Sequence, residues 1–308
     1  MMDNVLLSLC IPTNGAARWV LPLLDSIYAQ GADERLFEVV ITDNAASDVL
    51  ARAVGEYRKD NLHYWQTSSS GFTNQLDAFE KCTGIFCKML NHRSILLPGS
   101  VDSLLDIARK YGTERPVIYC SNGELRGEEF IACESVDAFV RTLGVRTTWS
   151  AGTCAWKEDL SDMRNKAVDA TFPHTLFLFG LRPESRYVIW NGVCQRMQDE
   201  TGKGGYDVFH AFAVTFPDIL SHLRYHGRIS KDTFLQVKKE LFAFLRTTHV
   251  KHVILPSDCT FIIRDVKKSL SVYYGKAGYR ALVATAWLSL PGLVWKAAVK
   301  RVKKLFGK

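Results

Sequence analysis

The feature that most constrains the fold is an alternation in the first 95 residues. Four short apolar runs, residues 5–11, 37–42, 62–66 and 85–90, each end in a polar turn. Between them, residues 17–30, 47–58 and 73–81 carry apolar side chains at helical spacing. Strand-length apolar runs joined by helix-period segments predict parallel strands with crossover helices. The expected architecture is therefore α/β, a mainly parallel sheet with helices on both faces. Ligands in such sheets collect at the carboxyl ends of the strands. Here those ends are Pro12-Thr13-Asn14, Asp43-Asn44, residues 68–71 and residues 91–94, all of them polar.

Residues 115–121 and 147–156 read as further strands of the same domain. After Gln195 the pattern turns helical, over 207–225, 230–247 and 258–274. Gly227 marks the end of one helix, and Ser230 with Thr233 marks the start of the next. The expected organisation is a first domain over 1–195 and a helical region over 196–308. A hydrophobic fraction of 47% with 11% aromatics supports a buried core and excludes a disordered chain. None of the eight cysteines forms a Cys-x-x-Cys pair, which points to reduced thiols in a cytosolic protein and away from a zinc site or disulfide framework. No leader peptide is expected, because the run at 5–11 lacks a basic flank and small-residue cleavage signals. No nucleic-acid-binding motif is present, and nucleic acid is not an expected partner.

The end of the chain is distinct. Residues 281–295 hold no charge, and Arg280 and Lys296 flank them. Fifteen residues fall short of the roughly 20 needed to span a bilayer, and Pro291-Gly292 is expected to interrupt the helix. Trp287 and Trp295, followed by Lys296, Lys300, Arg301, Lys303 and Lys304, fit a segment from about 280 to 308 lying in a membrane interface. The competing reading is a terminal helix docked on the protein with a solvated basic end.

Several motifs in sequence carry a family resemblance. They are Ser8-Leu9-Cys10-Ile11-Pro12-Thr13-Asn14, then Leu24-Asp25-Ser26-Ile27, then Asp43-Asn44-Ala45-Ala46-Ser47-Asp48, then Gly71-Phe72-Thr73-Asn74 with Ala78 and Gly84 downstream. Together they resemble family 2 glycosyltransferases of the GT-A, Rossmann-like type, among them bacterial surface-polysaccharide enzymes. The resemblance covers roughly residues 4–105 well, 106–195 loosely and the C-terminal helices not at all. It implies a nucleotide-sugar donor, a glycan or polyprenyl-linked acceptor, and a role in O-antigen or capsule synthesis. With the tail, it implies a peripheral position at an anionic membrane surface, on the cytoplasmic face of the inner membrane. The rival reading is a catalytically silent scaffold in a membrane-bound glycan-assembly complex.

Donor contacts are expected at Pro12, Thr13, Asn14, Asp43, Asn44, Gly71, Asn74, Asn91, His92 and Arg93. Asp43 is placed to accept a base N–H; its alternative role is to cap the following helix. Asn74 has the alternative of a helix-start hydrogen bond. The family carries metal-binding aspartates where this chain reads Asn91-His92-Arg93-Ser94. Hard divalent cations favour carboxylates, so no cofactor is expected, and a divalent metal stays open only as an alternative. An arginine fork matches phosphate oxygens and takes over part of the metal's electrostatic work. For the catalytic base, the family's acidic position aligns best with His174, with Glu158, Asp159 and Asp169 as the carboxylate alternatives.

Overall fold

The computed structural model describes residues 5–161, 163–182, 186–199, 201–255 and 258–305. The chain divides into two compact units, the first ending at Asp199. In the first, β1 (Leu7–Thr13) leads to α1 (Ala17–Tyr28), β2 (Phe37–Asp43), α2 (Val49–Gly55) and β3 (Leu62–Gln66). Then follow α3 (Asn74–Glu80), β4 (Phe86–Met89), β5 (Ser94–Leu96), α4 (Ser100–Tyr111), β6 (Val117–Cys120), β7 (Phe130–Cys133) and α5 (Val136–Leu143). The unit closes with β8 (Cys154–Trp156), β9 (Tyr187–Trp190) and β10 (Gln195–Met197).

The main sheet has the order β3-β2-β1-β4-β8. Its first four strands are parallel, and β8 runs antiparallel to β4. Alternation along β1 sorts the core. Leu7, Leu9 and Ile11 face α1, α2 and α4 through Val20, Leu24, Leu50 and Leu104. Cys10, with Val40 and Met89 of the neighbouring strands, faces Ala78 and Phe79 of α3 and Phe177. The Phe79 and Phe177 rings meet at a 48° tilt with centroids 4.3 Å apart. The fold class read from the sequence, a mainly parallel GT-A sheet covered on both faces, is the one observed. Residues 147–156 are a correction: short 3-10 turns occupy most of that span, and only Cys154–Trp156 forms a strand, β8.

A buried carboxylate locks the amino-terminal edge of the sheet. Glu38 is 1% exposed. It accepts bonds from the Ser8 hydroxyl, the Thr83 hydroxyl and the Thr83 and Gly84 amides. A Cβ at Gly84 would stand 2.6 Å from Ser8 Oγ, so only glycine admits this approach.

The second unit pairs β11 (Gly204–Asp207) with β12 (Thr260–Ile262). Its helices are α6 (Val208–His210), α7 (Phe216–Tyr225), α8 (Lys231–His249), α9 (Val266–Tyr274) and α10 (Gly278–Leu305). One π turn joins α6 to α7 and another extends α8. Ser230 caps α8 by accepting the Thr233 amide at 3.1 Å, and Gly227 takes φ +68° just past the end of α7. Two expectations are corrected. Residues 258–274 are not one helix, since β12 precedes α9. Pro291 does not interrupt α10, which runs through it for 28 residues. Among the described residues, no helix is long and apolar enough to cross a membrane.

Candidate functional site

Register brings Thr13, Asp43 and Gln66 side by side at the carboxyl edge of the sheet. Of the ten residues expected at the donor, Pro12 and Thr13 end β1, Asp43 ends β2, Asn74 starts α3, and the other six lie in the turns that follow β1 to β4. Asp43 is fully buried. Its Oδ1 accepts the Ala45 amide and its Oδ2 the Tyr64 hydroxyl, each at 2.9 Å. Burial, together with the Asp43 carboxylate it donates to, holds the Tyr64 phenol above its usual range. The alternative capping role is not seen, since the partner is Ala45 and not an amide of α2. Gly15, at φ +77°, leaves room for Ala45, which a Cβ there would meet at 2.7 Å.

Thr13 is 4% exposed, and its hydroxyl has no partner among the described residues. A buried orphan hydroxyl is costly unless something else satisfies it. Pro12 is half-buried and Asn14 exposed. Asn44 donates to the carbonyls of Ser69 and Gly71, pinning the loop after β3. Gly71 itself is exposed, at φ +53°.

Asn74 is corrected in role. It is 2% exposed, and its Nδ2 donates to the carbonyls of Thr13 and Thr42 at 2.9 and 2.8 Å. Its Oδ1 accepts the Thr67 hydroxyl at 2.9 Å. Both amide hydrogens are used, so the side chain clamps three strand ends together instead of facing a ligand.

In the turn after β4, the Asn91 side chain accepts the Arg93 amide at 2.9 Å. His92 hydrogen bonds to the Pro12 backbone; burial first, then the neighbouring Arg93 charge, push its imidazole down to about 4. At neutral pH His92 is therefore uncharged. Arg93 lies over the indole of Trp19, 4.7 Å from the ring centroid. Arg18 lies over the same ring at 4.5 Å. The two guanidinium carbons are thus at most 9.2 Å apart. Gln198 secures this corner by donating to the carbonyls of Trp19 and Ser94. Arg18 and Trp19 were missed in the sequence reading, because nothing in spacing brings residue 18 to residue 93.

A divalent cation does not suit this turn. It offers no carboxylate, the Asn91 oxygen accepts the Arg93 amide, and a guanidinium adjoins His92. Among the described residues, no group of three or more His, Cys, Asp or Glu is arranged to hold a metal.

The four base candidates separate by position. His174 is 2% exposed. Its Nε2 donates to the Thr147 carbonyl at 3.0 Å, while Nδ1 has no partner among the described residues. Burial pushes the ring down to about 4, against the pull of Thr147 and Asp169. An enclosed, weakly basic ring is poorly placed to meet an acceptor hydroxyl. Glu158 and Asp159 follow β8, whose Trp156 pairs with Phe86 at the start of β4. They therefore sit at the amino edge of the sheet, away from the donor loops, and both pair with Arg182. Burial raises the Asp159 carboxyl despite that contact.

Asp169 is half-buried, and its Oδ1 accepts the amides of Thr171 and Phe172, each at 2.8 Å. Next to it, Val168 lines a cleft of about 270 Å³ with Ser69, Thr73, Asp77 and Lys166. Ser69 and Thr73 belong to the loop and turn that follow β3.

No protein-family model and no curated relative matches the sequence. Solved structures do share the fold. Residues 1–349 of S. aureus TarS in complex with UDP-GlcNAc align with a TM-score of 0.57 at 15% identity, over 81% of this chain and 76% of that one. The same protein in complex with UDP gives a TM-score of 0.53 at 16% identity, over 79% and 74%. Against TarS in another crystal structure the TM-score is 0.50 at 14% identity, and the match covers 93% of this chain but 49% of that one. At these identities the likeness establishes the GT-A fold.

Proposed function

We propose that the chain transfers one sugar, with inversion, from a nucleoside-diphosphate donor to a glycan or lipid-linked acceptor in cell-surface polysaccharide synthesis. One observation carries this reading: a buried carboxylate, an orphan hydroxyl and a pair of arginines share one sheet edge of a GT-A fold. TarS, which has this fold, is known in complex with UDP-GlcNAc. In the proposed complex Asp43 and Thr13 meet the nucleoside, and Arg93 with Arg18 meets the diphosphate. The guanidiniums stabilise charge as it builds on the leaving group, so a divalent metal is not required. Asp169 takes the acceptor proton as the acceptor oxygen attacks the anomeric carbon. The bond from that carbon to the diphosphate oxygen breaks, and the electron pair leaves with the nucleoside diphosphate. Asp169 is preferred because it alone of the four candidates is neither enclosed in the core nor at the opposite edge.

Calorimetry with UDP, GDP, dTDP and CDP, each with and without EDTA, tests the donor site. One of these nucleotides should bind equally well under chelation, and Arg93→Ala should weaken it at least tenfold, more than Arg93→Lys does. Strict dependence on magnesium or manganese would overturn the arginine reading. Nucleotide binding without donor hydrolysis or transfer would favour the silent scaffold. With donor and acceptor in hand, Asp169→Asn should cut the rate by about 10²–10⁴ while donor affinity holds.

A further inference from the structure

The second unit carries a surface that the proposed chemistry does not use. Past the exposed Arg280, which lies on the same side of α10, the exposed positions among the described residues are Ala281, Ala284, Trp287, Leu288, Pro291, Gly292 and Trp295. At 100° per residue these fall within an arc of about 140°. Every one is uncharged, and Trp287, Leu288 and Trp295 are 57%, 82% and 72% exposed. The opposite face is spent on packing, with Leu282 and Ala286 fully buried. A contiguous apolar stripe with two exposed tryptophans marks an interaction site rather than ordinary surface.

Charge says what covers it. Residues 200–308 hold 19 Lys and Arg against 7 Asp and Glu, a formal charge of +12. Residues 1–199 hold 20 against 25, a charge of −5. Exposed Lys276 and Arg280 stand at the start of the stripe, and six more basic residues follow from Lys296 onward. The side chains of Lys296, Lys300, Arg301, Lys303 and Lys304 lie outside the described residues. A second copy of this chain would set one +12 unit against another, and like charges oppose that pairing. An anionic lipid surface answers both features at once: headgroups meet the basic residues, and the acyl boundary takes the tryptophan-bearing face.

We infer that α10 is an interfacial membrane-binding helix, lying in the plane of an anionic leaflet with the Ala281-Ala284-Trp287-Leu288-Pro291-Trp295 face in the lipid. It rests on the surface and does not cross. Attraction to the membrane is confined to the second unit, because the first carries the opposite net charge.

Flotation of the full chain with vesicles tests this. Vesicles of phosphatidylcholine with 30% phosphatidylglycerol should carry the protein to the top of the gradient, and pure phosphatidylcholine vesicles should leave most of it below. Trp287→Glu combined with Leu288→Glu should reduce partitioning at least tenfold with an unchanged thermal midpoint, since both side chains are already exposed. Equal binding to the two vesicle types would overturn the proposal. So would a variant that floats like the parent, or a concentration-dependent dimer that the double substitution abolishes. Should the double variant fail to fold, the comparison of the two vesicle types on the unaltered chain still decides.

Discussion

Asn74 donates both amide hydrogens to strand-end carbonyls and accepts a third bond from Thr67. Three buried bonds at roughly 1 kcal/mol each make Asn74→Ala costly by about 2–4 kcal/mol in urea denaturation. A loss below about 0.5 kcal/mol, with nucleotide binding gone, would restore the ligand contact that the family resemblance implied. His174 gives a second prediction. Its folded pKa is about 4 and its unfolded value near 6.5. Between those values only the unfolded chain takes up the proton. Stability is therefore full above about pH 6.5 and falls as pH drops toward 4, by about 3 kcal/mol in all. His92 pulls in the same direction. His174→Gln, which keeps a donor for Thr147, should flatten the slope between pH 7 and pH 5; an unchanged slope would assign the loss elsewhere. The placement of Thr13 and Asp43 at strand ends was legible in sequence, because the apolar runs of β1 and β2 mark where each strand stops. The clamp by Asn74 was not, since its partners lie 61 and 32 residues away. Glu158 and Asp159 misled because spacing does not reveal that β8 runs antiparallel and delivers its end to the wrong edge.

Elements were legible where local pattern and tertiary demand agreed. The strands β1, β2 and β4 are buried on both faces, so their apolar runs stood out, while edge strand β3 is only half-buried. Boundaries slipped where packing overrode local signals. Pro291 is the instructive case: it lacks the N–H that would bond one turn back and its ring crowds that turn, yet α10 continues. Leu282 and Ala286, earlier in the same helix, are fully buried, which a local pattern does not contain. Because Pro291 and Gly292 are exposed, neither packs a core. Pro291→Ala should then raise helicity by circular dichroism and stabilise the second unit, by up to about 3 kcal/mol. Destabilisation instead would mean that a bend at Pro291 is needed for packing.

Across the whole molecule, the division of charge separates two affinities for anions. The +12 of residues 200–308 acts over a Debye length and collects many headgroups, so lipid binding should be steeply salt-dependent. The proposed donor site lies in a unit of net −5, which gives no long-range attraction to a nucleotide. Its attraction is short-range, from Arg18 and Arg93 held against Trp19, and it is joined by the buried Asp43 and Thr13, around which screening is weak. Raising salt from 0.1 M to 1 M shrinks the Debye length from about 10 Å to about 3 Å. Over that range, partitioning onto anionic vesicles should fall more than tenfold. Nucleoside-diphosphate affinity, measured on the same full chain without lipid, should change by less than about threefold. Two curves of different slope would fix two anion sites on oppositely charged units. A nucleotide curve as steep as the lipid curve would move the donor onto the basic second unit, and the assignment of Asp43, Thr13 and the arginine pair would go with it.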